Sequence, residues 1–233
     1  PSSLRLLFFL IAVISSALVS AVETPEEPAA APPAKDAASE PTWYAMALGQ
    51  LAGRPVVGHF WSKGFKATSL NDLLDAMGLS KSSFYDTFGS KHEVFLETIE
   101  HYKKTMTAQF SGVAGLNSPA RRLIESLFDR AVSRLTEEGG QRGCYLNNCV
   151  VEVALHDPQA AKLVNGGISL VEDAFFALVQ RGQSEGDIAS DKDPRVLARF
   201  LTSSLNGLLV LGKANPDREA LTDISKTTLT VLG

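Results

Sequence analysis

Several features that mark enzymes and extracellular scaffolds are missing from this chain. It has two cysteines in 233 residues, Cys144 and Cys149. Two are too few for a disulfide framework, and at this spacing along one helix they do not bridge easily. They read as free thiols, which suits a reducing compartment. Positive charge is not in excess: 22 Lys and Arg stand against 26 Asp and Glu, a net charge of −4. Bulk charge therefore offers no support for nucleic-acid binding, and any such contact must come from a few well-placed groups. Few stretches of alternating β-branched residues occur, so an all-α fold is expected. Neither a Ser-His-Asp order, a Gly-rich phosphate loop nor a paired-carboxylate motif is present, so no catalytic residue and no enzyme is expected. Nor is a cofactor or a metal: the two cysteines lie about 140° apart round a helix, and His156 does not complete a ligand set.

Four segments are present. Residues 1–22 contain "LRLLFFLIAVISSALVS", an apolar run led by Arg5 and followed by small residues and acids. It reads as a signal peptide or a short anchor, with a buried helix as the alternative. Residues 23–52 are rich in Pro, Ala and acid and are expected to form a disordered linker. The sequence begins with Pro1 and not Met, so its first residue need not be the natural start. Residues 53–104 and 105–233 are expected to be two helical domains.

The helices announce themselves by their ends. Thr68 or Ser69 can cap a helix from Leu70 to Met77 that Gly78 closes. Ser80 caps a second one, Lys81 to Phe88. Ser90 and Glu93 form a capping box before a long helix. Ser118-Pro119 opens another, which Gly139-Gly140 stops. A helix from Cys144 to about Leu155 ends before Asp157-Pro158. A long helix follows to Gly182, loosened at Gly166-Gly167. Asp193-Pro194 begins the next, and Asn215-Pro216 separates it from the last, Arg218 to Leu232.

"GLSKSSFYDTFGSK", residues 78–91, carries the functional signal. Two short helices joined by Gly78-Leu79-Ser80 make a helix-turn-helix, whose second helix enters the major groove by its N-terminal residues. Lys81 can donate to guanine or phosphate. Ser82 and Ser83 let the backbone come close and can donate or accept. Phe84 and Phe88 are expected to face the core. Tyr85 can offer its hydroxyl to a phosphate, and Lys91 sits at a helix start where a phosphate is favoured. With Thr68 and Ser69 these form the expected DNA contacts.

"GFKATSLNDLLDAMGLSKSSFYDTFGSK", Gly64 to Lys91, resembles the DNA-binding signature of the TetR family of bacterial transcription regulators. The matching elements include Gly64-Phe65, Thr68-Ser69, Ala76-Met77-Gly78, Leu79-Ser80-Lys81, Phe84-Tyr85, Phe88 and Lys91. "GCYLNNCVVEVALHDPQAA", "LVQRGQSEGDI" and "DPRVLARFLTSSLNGLLVLGKA" are similar to the regulatory domain of one broad TetR group. The resemblance implies an all-helical homodimer that binds a palindromic double-stranded operator, usually as a repressor. It also implies a small-molecule effector of unknown identity, and a dimer bundle made by the last two long helices, about 194–213 and 217–232.

Two features depart from that pattern. Only "GRPVVGHFWSKGF" stands where the family has a first helix of three or four turns. A shortened helix would leave Leu73, Phe84 and Phe88 less covered, and one lost large core contact costs about 2–5 kcal/mol. An operator-binding protein belongs in the cytoplasm, whereas residues 1–22 suggest export or anchoring. A misassigned start reconciles the two. The alternative is a tethered or exported helical ligand-binding protein with impaired DNA binding. Cys144, after Arg142-Gly143 near a helix start, is a candidate thiol sensor, or else a small packing residue. Asn147, Asn148, Glu152 and His156 either line an effector pocket or form a solvated face. Phe175-Phe176 reads as core or dimer contact.

Overall fold

The computed structural model describes residues 56–233. The leader-like segment, the linker and residues 53–55 lie outside the described residues. Those described are helical in the order α1 (Val57–Ala67), α2 (Leu70–Met77), α3 (Lys81–Phe88), α4 (Lys91–Ala114) and α5 (Ala120–Thr136). A 3-10 turn, Gly140–Arg142, leads into a short α6 (Tyr145–Cys149), which runs on as a π-helical turn, Val150–Ala154. Then come α7 (Pro158–Glu185), α8 (Pro194–Ala214) and α9 (Arg218–Leu229). The chain divides into two compact units. One takes the described residues through Phe60 and Lys66–Thr98; the other takes Trp61–Phe65 and Ile99–Gly233.

The first unit is built by caps and a small aromatic core. Ser69 caps α2 through a complete capping box: Asp72 N–H donates to Ser69 Oγ at 3.1 Å, and Ser69 N–H donates to Asp72 Oδ2 at 2.7 Å. Gly78 ends α2 at φ 64°, a left-handed geometry that costs glycine little, and Leu79 N–H closes back on Leu74 O at 3.1 Å. Ser80 caps α3 by accepting from Ser83 N–H at 3.2 Å. Leu73, Met77, Phe84, Phe88, Val94 and Phe95 are buried, and Phe60 meets Phe95 edge to face with centroids 5.2 Å apart. Leu73 and Phe84 are fully covered, contrary to the expectation from a short first helix. Phe60 closes the core that Val57, also buried, shares.

In the second unit α5 packs against α7, α8 and α9, and α8 lies along α7. Its centre holds Ile124, Phe128, Leu135, Phe175, Leu178 and Leu201, all nearly or wholly buried. Asp157 caps α7 and Asp193 caps α8, each with proline in the first turn. Three expectations need correction. Pro119 occupies the cap position of α5 itself and not its first turn. α7 runs unbroken through Gly166-Gly167, because packing uses Gly167: a Cβ there would lie 2.5 Å from Leu146 Cδ1. The helix expected from Cys144 to Leu155 widens to π geometry after Cys149.

Candidate nucleic-acid interface

α3 is amphipathic in a way that settles which residues face outward. Phe84 and Phe88, one turn apart, are buried with ring centroids 5.5 Å apart. Lys81, Ser82, Ser83 and Asp86 are exposed, and Tyr85 is 45% exposed with its ring edge-on to Phe84 at 5.6 Å. The three serines share a hydroxyl cluster in which Ser80 Oγ lies 3.0 Å from Ser82 Oγ and 2.9 Å from Ser83 Oγ. The first turn of α3 therefore offers one cation, two hydroxyls and a phenol to whatever it meets.

The flanking positions behave differently from one another. Ser69 is exposed, although its hydroxyl belongs to the α2 cap. Thr68, expected among the DNA contacts, has a fully buried side chain in the single chain. The contribution of Thr68 is its carbonyl, which accepts from Lys91 Nζ at 2.6 Å. Lys91 thus ties the start of α4 to the joint between α1 and α2. No spacing rule revealed this bond, because its partners are 23 residues apart.

The candidate sensing residues lie on one segment of the second unit, but each has its own partner. Cys144 is buried, with Tyr102 Oη 4.0 Å from its Sγ. Burial first, and then the neighbouring Cys144, push the Tyr102 phenol above its usual range. Burial likewise drives the Cys149 thiol up to about 12. Asn148 donates to Arg142 O at 3.1 Å and accepts from Lys213 Nζ at 2.9 Å. Glu152 accepts from Phe65 N–H at 2.9 Å. Asn147 is buried, whereas His156 is exposed. Among the described residues no group of three His, Cys, Asp or Glu is placed to hold a metal ion.

Sequence reasoning missed Trp61. Its indole N–H donates to Arg142 O at 3.1 Å, and the Arg142 guanidinium lies 5.4 Å from its ring. Tyr102 and Tyr145 complete an aromatic cluster around it, at 5.2 and 6.1 Å between centroids. Phe175 is core, between Phe110 and Phe128, whereas Phe176 is half-exposed beneath the Arg195 guanidinium.

Comparison with known proteins agrees with this arrangement. Residues 59–98 match the sequence model of bacterial regulatory proteins of the tetR family. Residues 119–228 match that of the tetracyclin repressor-like C-terminal domain. The chain is 30% identical to the HTH-type transcriptional regulator YezE of Bacillus subtilis (strain 168) over 174 residues, covering 74% of this chain and 90% of that one. It is 29% identical to the HTH-type transcriptional repressor BdcR of Escherichia coli (strain K12) over 122 residues, 52% of this chain and 60% of that one. Among solved structures it resembles a cysteine mutant of the TetR family regulator CifR complexed with a 26-base-pair operator DNA. That match has a TM-score of 0.67 and 27% identity, and covers 79% of this chain and 96% of that one. The chain belongs to the TetR family of bacterial transcription regulators, and is a DNA-binding regulator, not an enzyme.

Proposed function

We propose that the chain is a cytoplasmic, effector-responsive repressor that binds a palindromic operator as a homodimer. The observation that carries the operator reading is the orientation of α3, with Phe84 and Phe88 inward and Lys81, Ser82, Ser83 and Tyr85 outward. In a two-fold dimer, two such helices would lie in successive major grooves roughly 34–36 Å apart. Lys81 reads a base edge or a phosphate, and Tyr85 and the α4 start at Lys91 fix the register on the backbone. The effector acts by favouring a state in which the two helices no longer fit the grooves together.

The dimer surface we assign is a seam on α8. Val196, Phe200, Val210 and Leu211 are 59, 46, 53 and 53% exposed. Ser203 and Gly207 complete the seam at helical spacing and are small enough for close approach. Beside it on α7 runs the row Ile168, Glu172 and Phe176; Arg195 of α8 bonds Glu172 at 3.1 Å and covers Phe176. The outward face of α9 is polar, carrying Arg218, Glu219, Asp223, Lys226 and Thr227. We therefore place the four-helix contact on α7 and α8, and not on the last two helices expected from the family resemblance.

The operator reading is tested by titrating the full chain against the DNA upstream of its own gene at several salt concentrations. Tyr85→Phe should weaken binding to all sequences alike, whereas Lys81→Ala should also alter sequence preference. Absence of salt-dependent, sequence-selective binding would overturn the reading.

A further inference from the structure

The second unit includes five residues of α1, Trp61–Phe65, while the chain on either side of them belongs to the first unit. Operator recognition by α3 makes no direct use of the groups that hold these five. Trp61 is fixed through its indole to Arg142 O and by the Tyr102 and Tyr145 rings. Gly64 departs from helical backbone, with φ 83° and ψ 170°. Immediately after this break, Phe65 N–H donates to the Glu152 carboxylate at 2.9 Å, across 87 residues of sequence. A Cβ on Gly64 would lie 2.6 Å from Glu152 Oε2, and φ 83° strains any other residue there, so a substitution would both strain the turn and push the carboxylate aside.

Glu152 stands in the π-helical turn Val150–Ala154. Such single wide turns are uncommon and tend to mark functional positions. Its neighbours Val151 and Leu155 are 85 and 87% exposed, so the outward side of the turn has no apolar packing to hold it. Inward, Val153 is buried and Glu152 reaches Phe65.

We infer that Glu152 is a positioning residue for operator binding: its carboxylate caps the restart of α1 at Phe65, the residue from which the chain runs on into the helix-turn-helix at Lys66. The role rests on the operator reading proposed above. Two residues beyond Lys66, Thr68 O holds Lys91, and Ser69 caps α2. Release of Phe65 therefore frees the backbone that leads into this segment, while Glu152 itself is not among the groups offered to DNA.

The test uses the full chain and compares Glu152→Gln, which keeps an oxygen acceptor of similar reach, with Glu152→Ala, which removes it. Two quantities are read: amide hydrogen exchange of the peptide containing Phe65, and operator affinity by fluorescence anisotropy below the melting temperature. Glu152→Ala should speed exchange at Phe65 and weaken operator binding, each on the order of tenfold. Glu152→Gln should stay close to wild type in both. Where Glu152→Ala fails to fold, Glu152→Asp keeps the charge but shortens the reach, and carries the same two expectations. Faster exchange with operator affinity unchanged would reduce the contact to a structural one and overturn the inference. Equal weakening by Glu152→Gln would also overturn it, since charge and not the bond to Phe65 would then be responsible. A wild-type chain with a protected Phe65 amide but no operator affinity would refute the operator reading itself, and this role with it.

Discussion

Replacing Phe200 by serine tests where two protomers meet. A phenylalanine ring buries about 200 Å² when fully covered. Phe200 is 46% exposed in the single chain, so a partner would cover about 90 Å² more. At about 25 cal/mol per Å² this is about 2 kcal/mol per protomer. A two-fold interface contains the residue twice, so the dimer loses about 4–5 kcal/mol, roughly a thousandfold in its dissociation constant. Sedimentation equilibrium over a concentration series measures this directly. Operator affinity should fall in parallel at dilute protein, because a lone protomer covers one half-site. Thr227→Arg, on the polar face of α9, is the control and should leave the dimer intact. An unchanged dimer with Phe200→Ser, together with a dimer broken by Thr227→Arg, would refute the assignment to α7 and α8.

Three further outcomes are expected. Operator affinity should depend only moderately on salt: two lysines per protomer, Lys81 and Lys91, predict a log–log slope near −4 for the dimer, and a slope near −8 would mean that the main phosphate contacts lie elsewhere. Alkylating reagents at pH 8 should leave Cys149 unmodified in the folded chain, because its thiol is raised to about 12 by burial. The native state then holds a proton that the unfolded thiol gives up near its ordinary value of about 8.5, so Cys149 makes unfolding stability fall as pH rises from there to about 12; denaturation curves that stay flat over that range, and match those of Cys149→Ala, would contradict this. Gly212→Ala should lower the melting temperature, since its Cβ would lie 2.6 Å from Leu135 Cδ1 in the core and such overpacking costs about 1–3 kcal/mol; an unchanged melting temperature would show that Leu135 has room to move.

What was legible in the sequence was the chemistry that acts over three or four residues. The caps at Ser80, Asp157 and Asp193 and the stop at Gly78 follow from backbone donors that need a nearby oxygen and from a turn that needs positive φ. The buried pair Phe84 and Phe88 follows from helical period alone. Contacts formed across the fold were not legible. Thr68 was expected as a cap or a DNA contact, yet packing buries its side chain and its carbonyl accepts from Lys91. Gly166-Gly167 looked like a weak point because glycine lowers helix propensity, yet Leu146 fills the space that Gly167 provides. The bond from Phe65 to Glu152 had no local signal, since neither a glycine after a lysine nor a glutamate among valines implies the other.

These long-range contacts bear on how a chain of net charge −4 can hold DNA. Attraction from bulk charge is unavailable, so affinity has to come from geometry: a few donors set in place before the duplex arrives, and two copies acting at once. The first requirement fits the ties on the α1 tail, Trp61 to Arg142 and Phe65 to Glu152, and the tie from the start of α4, Lys91 to Thr68 O. The second fits the apolar seam that α8 exposes in the single chain, which the proposed partner would cover. A repressor that relied on a broad basic surface would tolerate loose joints, because each lysine acts almost independently. With so few contacts, losing the proposed Phe65 cap, or the proposed partner at Phe200, is expected to weaken several of them together. Weak electrostatics and sensitive regulation are on this view the same property, since what binds only when held in one arrangement is released by any effector that disturbs the arrangement.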